Sequence, residues 1–181
     1  MKRYIITGTP GSGKTSIIRV LEFAGYFVVE EAATDIIAMQ QARGILEPHT
    51  LPAFIDDITN LQKRRQMQAA DLSSTIQFFD RSPVCTYALS TWLRYPISTT
   101  LSNEMERIRE ERIYERQVFF IENLGFCEPT QARRISFEES LQFEKLHEET
   151  YRSFGYEIVR VAPQKLSDRV ELIKRYVSAP G

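Results

Sequence analysis

The sequence predicts an α/β fold with a parallel β-sheet, and three observations support this fold class. Short apolar runs rich in β-branched and aromatic residues alternate with longer helical patterns along the chain. Several of these runs are apolar throughout, as expected for strands that helices cover on both faces. The first run leads directly into a glycine-rich turn and an amphipathic helix. Together these features favour strands joined by crossover helices.

The predicted elements follow in chain order. The strands are RYIIT (3–7), YFVV (26–29), TIQFF (75–79), QVFFI (117–121) and YEIVRV (156–161). Helices are predicted at 14–24, 53–72, 102–116, 137–154 and 168–177, and two further helices are predicted after Glu31 and after Ser82-Pro83. Thr50-Leu51-Pro52 is expected to open the helix at 53–72. The helix at 102–116 is rich in charged residues of both signs. Ser82, Ser136 with Glu139, and Ser167 are expected to cap helices, and Gly155 is expected to end one.

Length and composition indicate one globular domain. The chain has 181 residues and a formal net charge of -1, and we expect a domain over residues 1–178 with a frayed tail at 179–181. The charge balance argues against a dedicated nucleic-acid-binding protein.

No segment reaches the roughly 18 apolar residues that span a membrane, and the run after MKR is too short for a signal peptide, so we expect a cytoplasmic location. Cys85 and Cys127 lack the pattern of a disulfide framework or zinc site and are expected to be small buried residues.

A phosphate-binding loop is predicted at residues 8–15, GTPGSGKT, which match the pattern G-x-x-x-x-G-K-[ST] without a mismatch. Glycines allow successive N–H groups to turn towards one anion, and the following helix adds unpaired N–H groups and its positive dipole end. Lys14 would meet the β- and γ-phosphates, and the Thr15 hydroxyl would bind Mg²⁺. The predicted nucleotide-binding residues are Gly8, Thr9, Pro10, Gly11, Ser12, Gly13, Lys14, Thr15 and Ser16.

Charged residues are predicted at the carboxyl ends of two neighbouring strands. Asp80 follows the third strand, at the edge where ligands bind in open α/β sheets, and can hold Mg²⁺ through water together with Thr15. Arg81 is a permanently charged group suited to a phosphate or a polar acceptor. Glu30 and Glu31 follow the second strand, where a carboxylate can orient or deprotonate an acceptor hydroxyl. The sequence leaves open which glutamate acts, and Glu31 can equally be the first-turn acid of the next helix.

The segment ENLGFCEPTQARRISFEES (122–140) follows the fourth strand and is predicted to form a basic lid. Phosphoryl transfer requires that charge on the moving group is stabilised and that water is kept out, and Arg133 and Arg134 would contribute to both. The alternative is a surface loop with two solvated arginines.

The ordered set of motifs resembles one family over nearly the whole chain. The motifs are TGTPGSGKTSII, GYFVVEEAATDII, FFDRSPVCTYAL, FFIENLGFCEPTQARR and LHEETYRSFGYEIVRV, followed by DRVELI. They resemble the small AAA-type ATPase/kinase domains, within the P-loop kinase group, that are related to the ribosylnicotinamide-kinase part of bifunctional NAD-biosynthesis regulators. More distantly, Asp80-Arg81-Ser82 resembles the corresponding step of deoxynucleoside and thymidylate kinases.

The resemblance implies a three-layer P-loop NTPase fold with a five-stranded parallel sheet of order 2-3-1-4-5 and a lid after the fourth strand. It also implies ATP or GTP as the phosphate source, together with Mg²⁺. By this resemblance Gly8, Gly13, Lys14 and Thr15 would bind the phosphates of the nucleotide. Asp80 and Arg81 would bind the metal ion and the acceptor, and Arg133 would belong to the lid. The sequence has no Asn-Lys-x-Asp motif to read a guanine base, which favours ATP over GTP.

The favoured function is a kinase that transfers the γ-phosphate of ATP or GTP to a small hydroxylated acceptor, such as a nucleoside-like molecule. One alternative is an NTP-dependent switch that hydrolyses slowly and docks a protein or lipid partner on the helices at 51–71 and 102–116. Another is a nucleotide-binding domain that has lost its activity. The candidate residues for lining an acceptor pocket are Phe54, Arg65, Gln66, Tyr87 and Trp92, and each can equally belong to the core.

Overall fold

Five parallel strands form one sheet in the computed structural model, which describes residues 1–8, 11–70, 74–124 and 137–178. The strands are β1 (Lys2–Thr7), β2 (Phe27–Val29), β3 (Ile76–Asp80), β4 (Gln117–Ile121) and β5 (Glu157–Val161). Their order is β2-β3-β1-β4-β5, and each neighbouring pair runs parallel. The predicted fold class and strand order are confirmed.

Helices cover both faces of the sheet. They are α1 (Lys14–Phe23), α2 (Ala32–Ala42), α3 (Ala53–Ala70), α4 (Pro83–Trp92), α5 (Thr99–Glu110), α6 (Phe137–Ser153) and α7 (Leu166–Ser178), with a 3₁₀ turn at Pro48–Thr50. In β1, Tyr4 and Ile6 pack with α1 and α7, whereas Ile5 packs with α3, α4, α5 and α6. This alternation of side chains along the strand produces the two apolar cores of a three-layer fold.

The strand order determines where a ligand site can form. The central strand β1 lies between β3 and β4, so the segments that leave the carboxyl ends of these strands are neighbours. The three central strands β1, β3 and β4 are mostly buried, and Ile5, Phe78 and Phe119 are completely inaccessible to solvent. A rigid, buried sheet therefore supports the segments that follow Thr7, Asp80 and Ile121.

Several predicted helix ends are confirmed. The Ser82 hydroxyl accepts a hydrogen bond from the N–H of Val84 at 3.3 Å, with Pro83 as the first residue of α4. Helix α6 ends as predicted, because Gly155 has a φ of 82° and its N–H bonds to the carbonyl of Arg152 at 3.0 Å. Cys85 is buried, as predicted. The predicted cap Ser136, the second cysteine Cys127 and the tail 179–181 lie outside the described residues.

Two predicted helix boundaries are wrong. Ser167 does not cap the last helix but lies in its first turn, because the carbonyl of Lys165 already accepts the N–H groups of Asp168 and Arg169 at 3.0 and 3.2 Å. The charged segment 102–116 is helical only as far as Glu110, and this helix begins earlier, at Thr99. Its end is set by Arg112, which adopts a left-handed conformation with a φ of 48°.

None of the helices in the described part of the chain is both long and apolar enough to cross a bilayer. The interpretation of residues 1–178 as a single domain stays a prediction.

Candidate active site

The glycine-rich turn leaves the carboxyl end of β1 and leads into α1. Gly8, Gly11 and Gly13 have φ values of 143°, 85° and 79°, and α1 begins at Lys14 directly after Gly13. No described side chain caps this helix, so its first N–H groups remain available to an anion. Thr15 and Ser16 lie exposed in the first turn, whereas Ser12 is buried. Thr9 and Pro10 lie outside the described residues.

The close packing of Gly8 leads to a stability prediction. A β-carbon on Gly8 would collide with the carbonyl oxygen of Ile121, and its positive φ disfavours any side chain. We expect Gly8→Ala to lower the free energy of unfolding in urea by about 2–4 kcal/mol. The matched control is Gly44→Ala, which also has a positive φ of 89° but has no atom within 4 Å of an added β-carbon. Equal losses in the two variants would contradict this packing argument.

A buried arginine from α7 holds the glycine-rich turn from behind. Arg169 is 3% exposed, and its Nη2 donates to the carbonyl oxygens of Ser12 at 2.8 Å and Glu122 at 3.4 Å. The same guanidinium lies 3.0 Å from the position of a β-carbon on Gly13. It therefore fixes the backbone of the turn relative to the end of β4. Sequence reasoning missed Arg169.

Loss of this contact is expected to weaken nucleotide binding. In Arg169→Met, the carbonyls of Ser12 and Glu122 lose a charged donor, which is worth about 1.5–3 kcal/mol for a hydrogen bond of this type. We expect ATP affinity, measured by calorimetry, to fall about tenfold because the turn is less well preorganised. Arg175→Met, an exposed arginine on the same helix, should keep wild-type affinity. Unchanged ATP affinity in Arg169→Met would remove this residue from the site.

An ion pair joins the ends of β2 and β3. Arg81 Nε donates to Glu31 Oε1, and the Thr34 hydroxyl donates to Glu31 Oε2 at 2.9 Å. Arg81 has a left-handed φ of 71°, and its N–H bonds to the carbonyl of Ile6 at 3.0 Å. Strained non-glycine backbone of this kind concentrates at functional sites because the surrounding structure must stabilise it.

The pKa values of the charged groups reflect burial and their proximity to one another. Burial lowers the pKa of Lys14, and nearby Arg81 lowers it further. Burial raises the pKa of Asp80, although Lys14 opposes this effect. Burial alone would also raise the pKa of Glu31, but Arg81 and Lys14 outweigh it and bring the value to about 2. Glu31 is therefore an ionised hydrogen-bond acceptor and a weak base.

The adjacent residues Glu30 and Glu31, between which the sequence left the choice open, have different contacts in the structure. The Glu30 carboxylate is exposed and pairs with Arg19 at 2.8 Å, whereas Glu31 contacts Arg81. Arg65 supports this turn by donating to the carbonyls of Glu30 at 3.0 Å and Glu31 at 2.8 Å. The geometry favours Glu31 for any role at an acceptor, and that role stays a prediction.

The residues predicted to hold Mg²⁺ are compatible with a cation. Asp80 Oδ1 is buried and has no hydrogen-bond partner in the described structure. Asp80 and Thr15 line one cavity of about 300 Å³. Among the described residues, no three His, Cys, Asp or Glu side chains form a complete metal site. A hard cation bound by Asp80 and Thr15 would therefore take further oxygen ligands from phosphate and water, as Mg²⁺ usually does.

A second cavity of about 230 Å³ adjoins this one and extends between α2, α3, α4 and α6. It begins at Lys14, Glu31 and Arg81. Its apolar wall is formed by Ala33, Ile37, Phe54, Ile58, Leu89 and Phe143, and its polar groups include Gln62, Thr86, His49 and His147. The arrangement provides a mainly apolar compartment whose charged end faces the glycine-rich turn.

Of the five predicted lining residues, only Phe54 faces this compartment. The other four do not line it and have structural partners, which was the alternative for each of them. Arg65 supports the β2–α2 turn, and Gln66 accepts a hydrogen bond from Arg107 at 2.7 Å. Tyr87 packs against Phe154, and Trp92 packs against the lining residue Phe143, with ring centroids 5.1 and 5.2 Å apart.

His147 is a buried residue of the compartment that sequence reasoning missed. Its Nδ1 lies 3.0 Å from the carbonyl oxygen of Phe143, so Nδ1 carries the proton and Nε2 is left with a free lone pair. Nε2 has no hydrogen-bond partner in the described structure. Burial, together with the nearby charges of Arg81 and Lys14, lowers the pKa of His147 to about 3. The imidazole is therefore a neutral hydrogen-bond acceptor.

Arg133 and Arg134 lie within residues 125–136, outside the described residues. The lid role of Arg133 stays a prediction.

The family of the chain follows from a comparison with protein-family models. A model described as an AAA domain matches residues 3–169. The chain belongs to this family. The matched range of the AAA domain includes the glycine-rich turn, Glu31, Asp80, Arg81, His147 and Arg169. A comparison with curated proteins found no match.

Solved structures resemble the AAA domain over almost its full length. Deoxyadenosine kinase from M. mycoides with bound dATP is 16% identical, with a TM-score of 0.65, and the match covers 99% of this chain and 100% of that chain. NadR protein in complex with NAD and AMP-PNP is 14% identical, with a TM-score of 0.71, over 99% of this chain and 50% of that chain. NadR in complex with NR matches with the same identity and TM-score over 52% of that chain. These likenesses show a P-loop kinase-like fold, as the sequence resemblance implied, and the AAA domain spans about half of the NadR chain.

Proposed function

We propose that this AAA domain transfers the γ-phosphate of ATP to a hydroxyl group of a small, nucleoside-like acceptor. The observation that carries the proposal is the compartment of about 230 Å³ that opens onto Lys14, Glu31 and Arg81. Simple hydrolysis needs only water next to the γ-phosphate. A largely apolar compartment at that position instead supports the binding of a second organic substrate.

The charged end of the compartment suits the transfer step. Lys14 and the N–H groups of the glycine-rich turn would hold the phosphates, and Arg81 would stabilise charge on the transferred group. Glu31 would accept a hydrogen bond from the attacking hydroxyl and orient it. Because its pKa is about 2, Glu31 would not remove the proton before the bond to phosphorus forms, which is compatible with a loose transition state. Mg²⁺ at Thr15 and Asp80 would neutralise phosphate charge.

The remaining walls favour a flat acceptor with polar edges. Phe54 and Phe143 provide aromatic faces, and Gln62 and His147 provide hydrogen-bonding groups. The Oε1 atom of Gln62 accepts from Thr86 at 2.9 Å, which leaves its amide N–H groups available to a ligand. The volume lies below the roughly 300–1,000 Å³ of pockets that hold drug-sized ligands, which favours a small acceptor. The fold shared with deoxyadenosine kinase and with NadR in complex with NR supports a nucleoside-like molecule.

The proposal is tested by incubating the purified protein and ATP with nucleosides, ribosylnicotinamide and nucleoside monophosphates. We expect at least one acceptor to raise ADP release above the water background and to yield an equal amount of phosphorylated product by mass spectrometry. If no acceptor does so, the proposal fails. The alternative of a slow NTP-dependent switch with a protein or lipid partner then becomes the better explanation. GTP in place of ATP tests the choice of nucleotide, and the cytoplasmic location stays a prediction.

The adjacent glutamates provide a matched pair of variants for the productive acceptor. Glu31→Gln removes the ionised acceptor beside Arg81, and we expect kcat to fall about tenfold to a hundredfold because the hydroxyl is misoriented. Glu30→Gln changes a carboxylate that pairs with Arg19 on the surface, so its kcat should stay near the wild-type value. A larger loss in Glu30→Gln than in Glu31→Gln would reverse the assignment.

A further inference from the structure

A third cavity, of about 650 Å³, lies at the opposite edge of the sheet from the glycine-rich turn. It is bounded by the end of α5 and by the segments that precede β4 and β5, so it opens at the amino ends of these strands. Its lining residues include Met105, Ile108, Arg112, Arg116, Phe154 and Tyr156. None of them lines the compartment beside Lys14. We call it the rear cavity.

One wall of the rear cavity is a braced aromatic surface. Phe154 packs edge-to-face on Tyr87 of α4, with ring centroids 5.1 Å apart, and Tyr156 packs in the same way on Tyr151 at 5.5 Å. Tyr151 is fully buried, and its hydroxyl bonds to Ser82 at 2.9 Å. The rings are therefore held in place before any ligand arrives, which lowers the entropic cost of binding.

The rim of the rear cavity is cationic. Arg109, Arg112 and Arg116 line it, and Glu115 is the only acidic residue among the described residues that line it. Arg109 pairs with Glu106 on its own helix at 3.6 Å, so Arg112 and Arg116 are the candidate anion-binding groups of the rim. Arg116 Nε donates to the carbonyl of Gly155 at 3.2 Å and lies 3.6 Å from Oε1 of Glu157. Both contacts are made by Nε, so the two Nη groups of Arg116 are available to a ligand. The backbone N–H of Arg112 bonds to the carbonyl of Arg109 at 3.3 Å, but its guanidinium has no hydrogen bond or ion pair with any described residue. An arginine without a partner beside an apolar wall can bind an anion and stack on a ring.

We propose that the rear cavity binds a small aromatic anion, a planar ring system that carries a phosphate, sulfonate or carboxylate group. The ring would lie against Phe154 and Tyr156, over a floor formed by the buried residues Met105 and Ile108, and the anionic group would meet Arg112 and Arg116. The volume of about 650 Å³ lies within the range of natural small-molecule sites. This inference does not depend on the proposed phosphotransferase activity, because it concerns a different cavity.

The probe for this site is 1-anilinonaphthalene-8-sulfonate, an aromatic anion whose fluorescence rises on binding. We expect saturable binding to the full chain, with the same dye affinity in Ala33→Phe, which narrows the compartment beside Lys14 and leaves the rear cavity unchanged. Arg112→Glu and Arg116→Glu should each weaken dye affinity about fivefold to tenfold. Arg43→Glu reverses an exposed arginine at the end of α2 and should leave the affinity unchanged. Uncharged N-phenyl-1-naphthylamine should bind at least about tenfold more weakly than the sulfonate.

Three results would overturn the inference. The dye could bind more weakly to Ala33→Phe than to the wild type, which would locate it in the compartment beside Lys14. Its affinity could be the same in wild type, Arg112→Glu and Arg116→Glu. The uncharged probe could bind as tightly as the sulfonate, which would indicate a purely apolar surface. Circular dichroism and urea unfolding verify that each variant is folded, and Arg112→Gln and Arg116→Gln replace any charge-reversal variant that is not.

Discussion

Lys14→Ala is expected to lower the rate of phosphate transfer by about a hundredfold to a thousandfold while leaving the fold intact. Lys14 is a buried cation at the first residue of α1, where the charged end of the compartment of about 230 Å³ meets the glycine-rich turn. A preorganised charge in a water-excluded site stabilises developing negative charge far more than the same charge does in water. The rate is measured as acceptor-dependent ADP release at saturating ATP.

The fold should tolerate this change because burial already disfavours the charged form of Lys14 and lowers its pKa. We therefore expect the free energy of unfolding to stay within about 1 kcal/mol of the wild-type value. Lys145→Ala is the matched control, since Lys145 is an exposed lysine whose ammonium lies 3.8 Å from Glu149. A normal rate in Lys14→Ala would contradict the assignment of the glycine-rich turn as the nucleotide site.

The strands were easier to predict than the ends of the helices. Each predicted strand overlaps the observed one within one residue at either end, because buried parallel strands are short, continuous apolar runs. The sequence near the end of α5 contains no comparable change from apolar to polar residues. Charged residues continue past Glu110, and the residue that ends the helix is Arg112 in a left-handed conformation, not the glycine that usually marks this position.

The site was predictable only where its residues are close in sequence. The glycine-rich turn and the pair Asp80-Arg81 are contiguous motifs, whereas Arg169 meets Ser12 across 157 residues. Arg169 and His147 each occupy the apolar stripe of a helix, in line with Ile173 and Val177 or with Phe143 and Tyr151. A polar residue on an apolar stripe was the available signal. It indicates burial but does not identify the partner, which depends on tertiary packing.

Acidification is expected to destabilise the protein through His147. In the unfolded chain this imidazole binds a proton near pH 6.5, but in the folded protein its pKa is about 3. Between these values the unfolded state holds one more proton, so stability falls as the pH decreases, by about 1.4 kcal/mol per pH unit. The groups that face His147 are the carbonyl of Phe143 and the cations Arg81 and Lys14, and both cations oppose protonation. From pH 7 to pH 4, this one group should cost about 3 kcal/mol.

His147→Asn isolates this contribution, because an asparagine amide does not titrate and can still donate a hydrogen bond to the carbonyl of Phe143. We expect the wild type to lose about 3 kcal/mol more stability than His147→Asn between pH 7 and pH 4 in urea unfolding. The chain has two histidines, and the exposed His49 provides the control: His49→Asn should follow the wild-type curve. Parallel curves for the wild type and His147→Asn would mean that water or protons reach the imidazole in the folded protein. In that case His147 could not serve as a permanently neutral hydrogen-bond acceptor beside Arg81, and the compartment that it lines would be wetter and more adaptable than its apolar lining indicates.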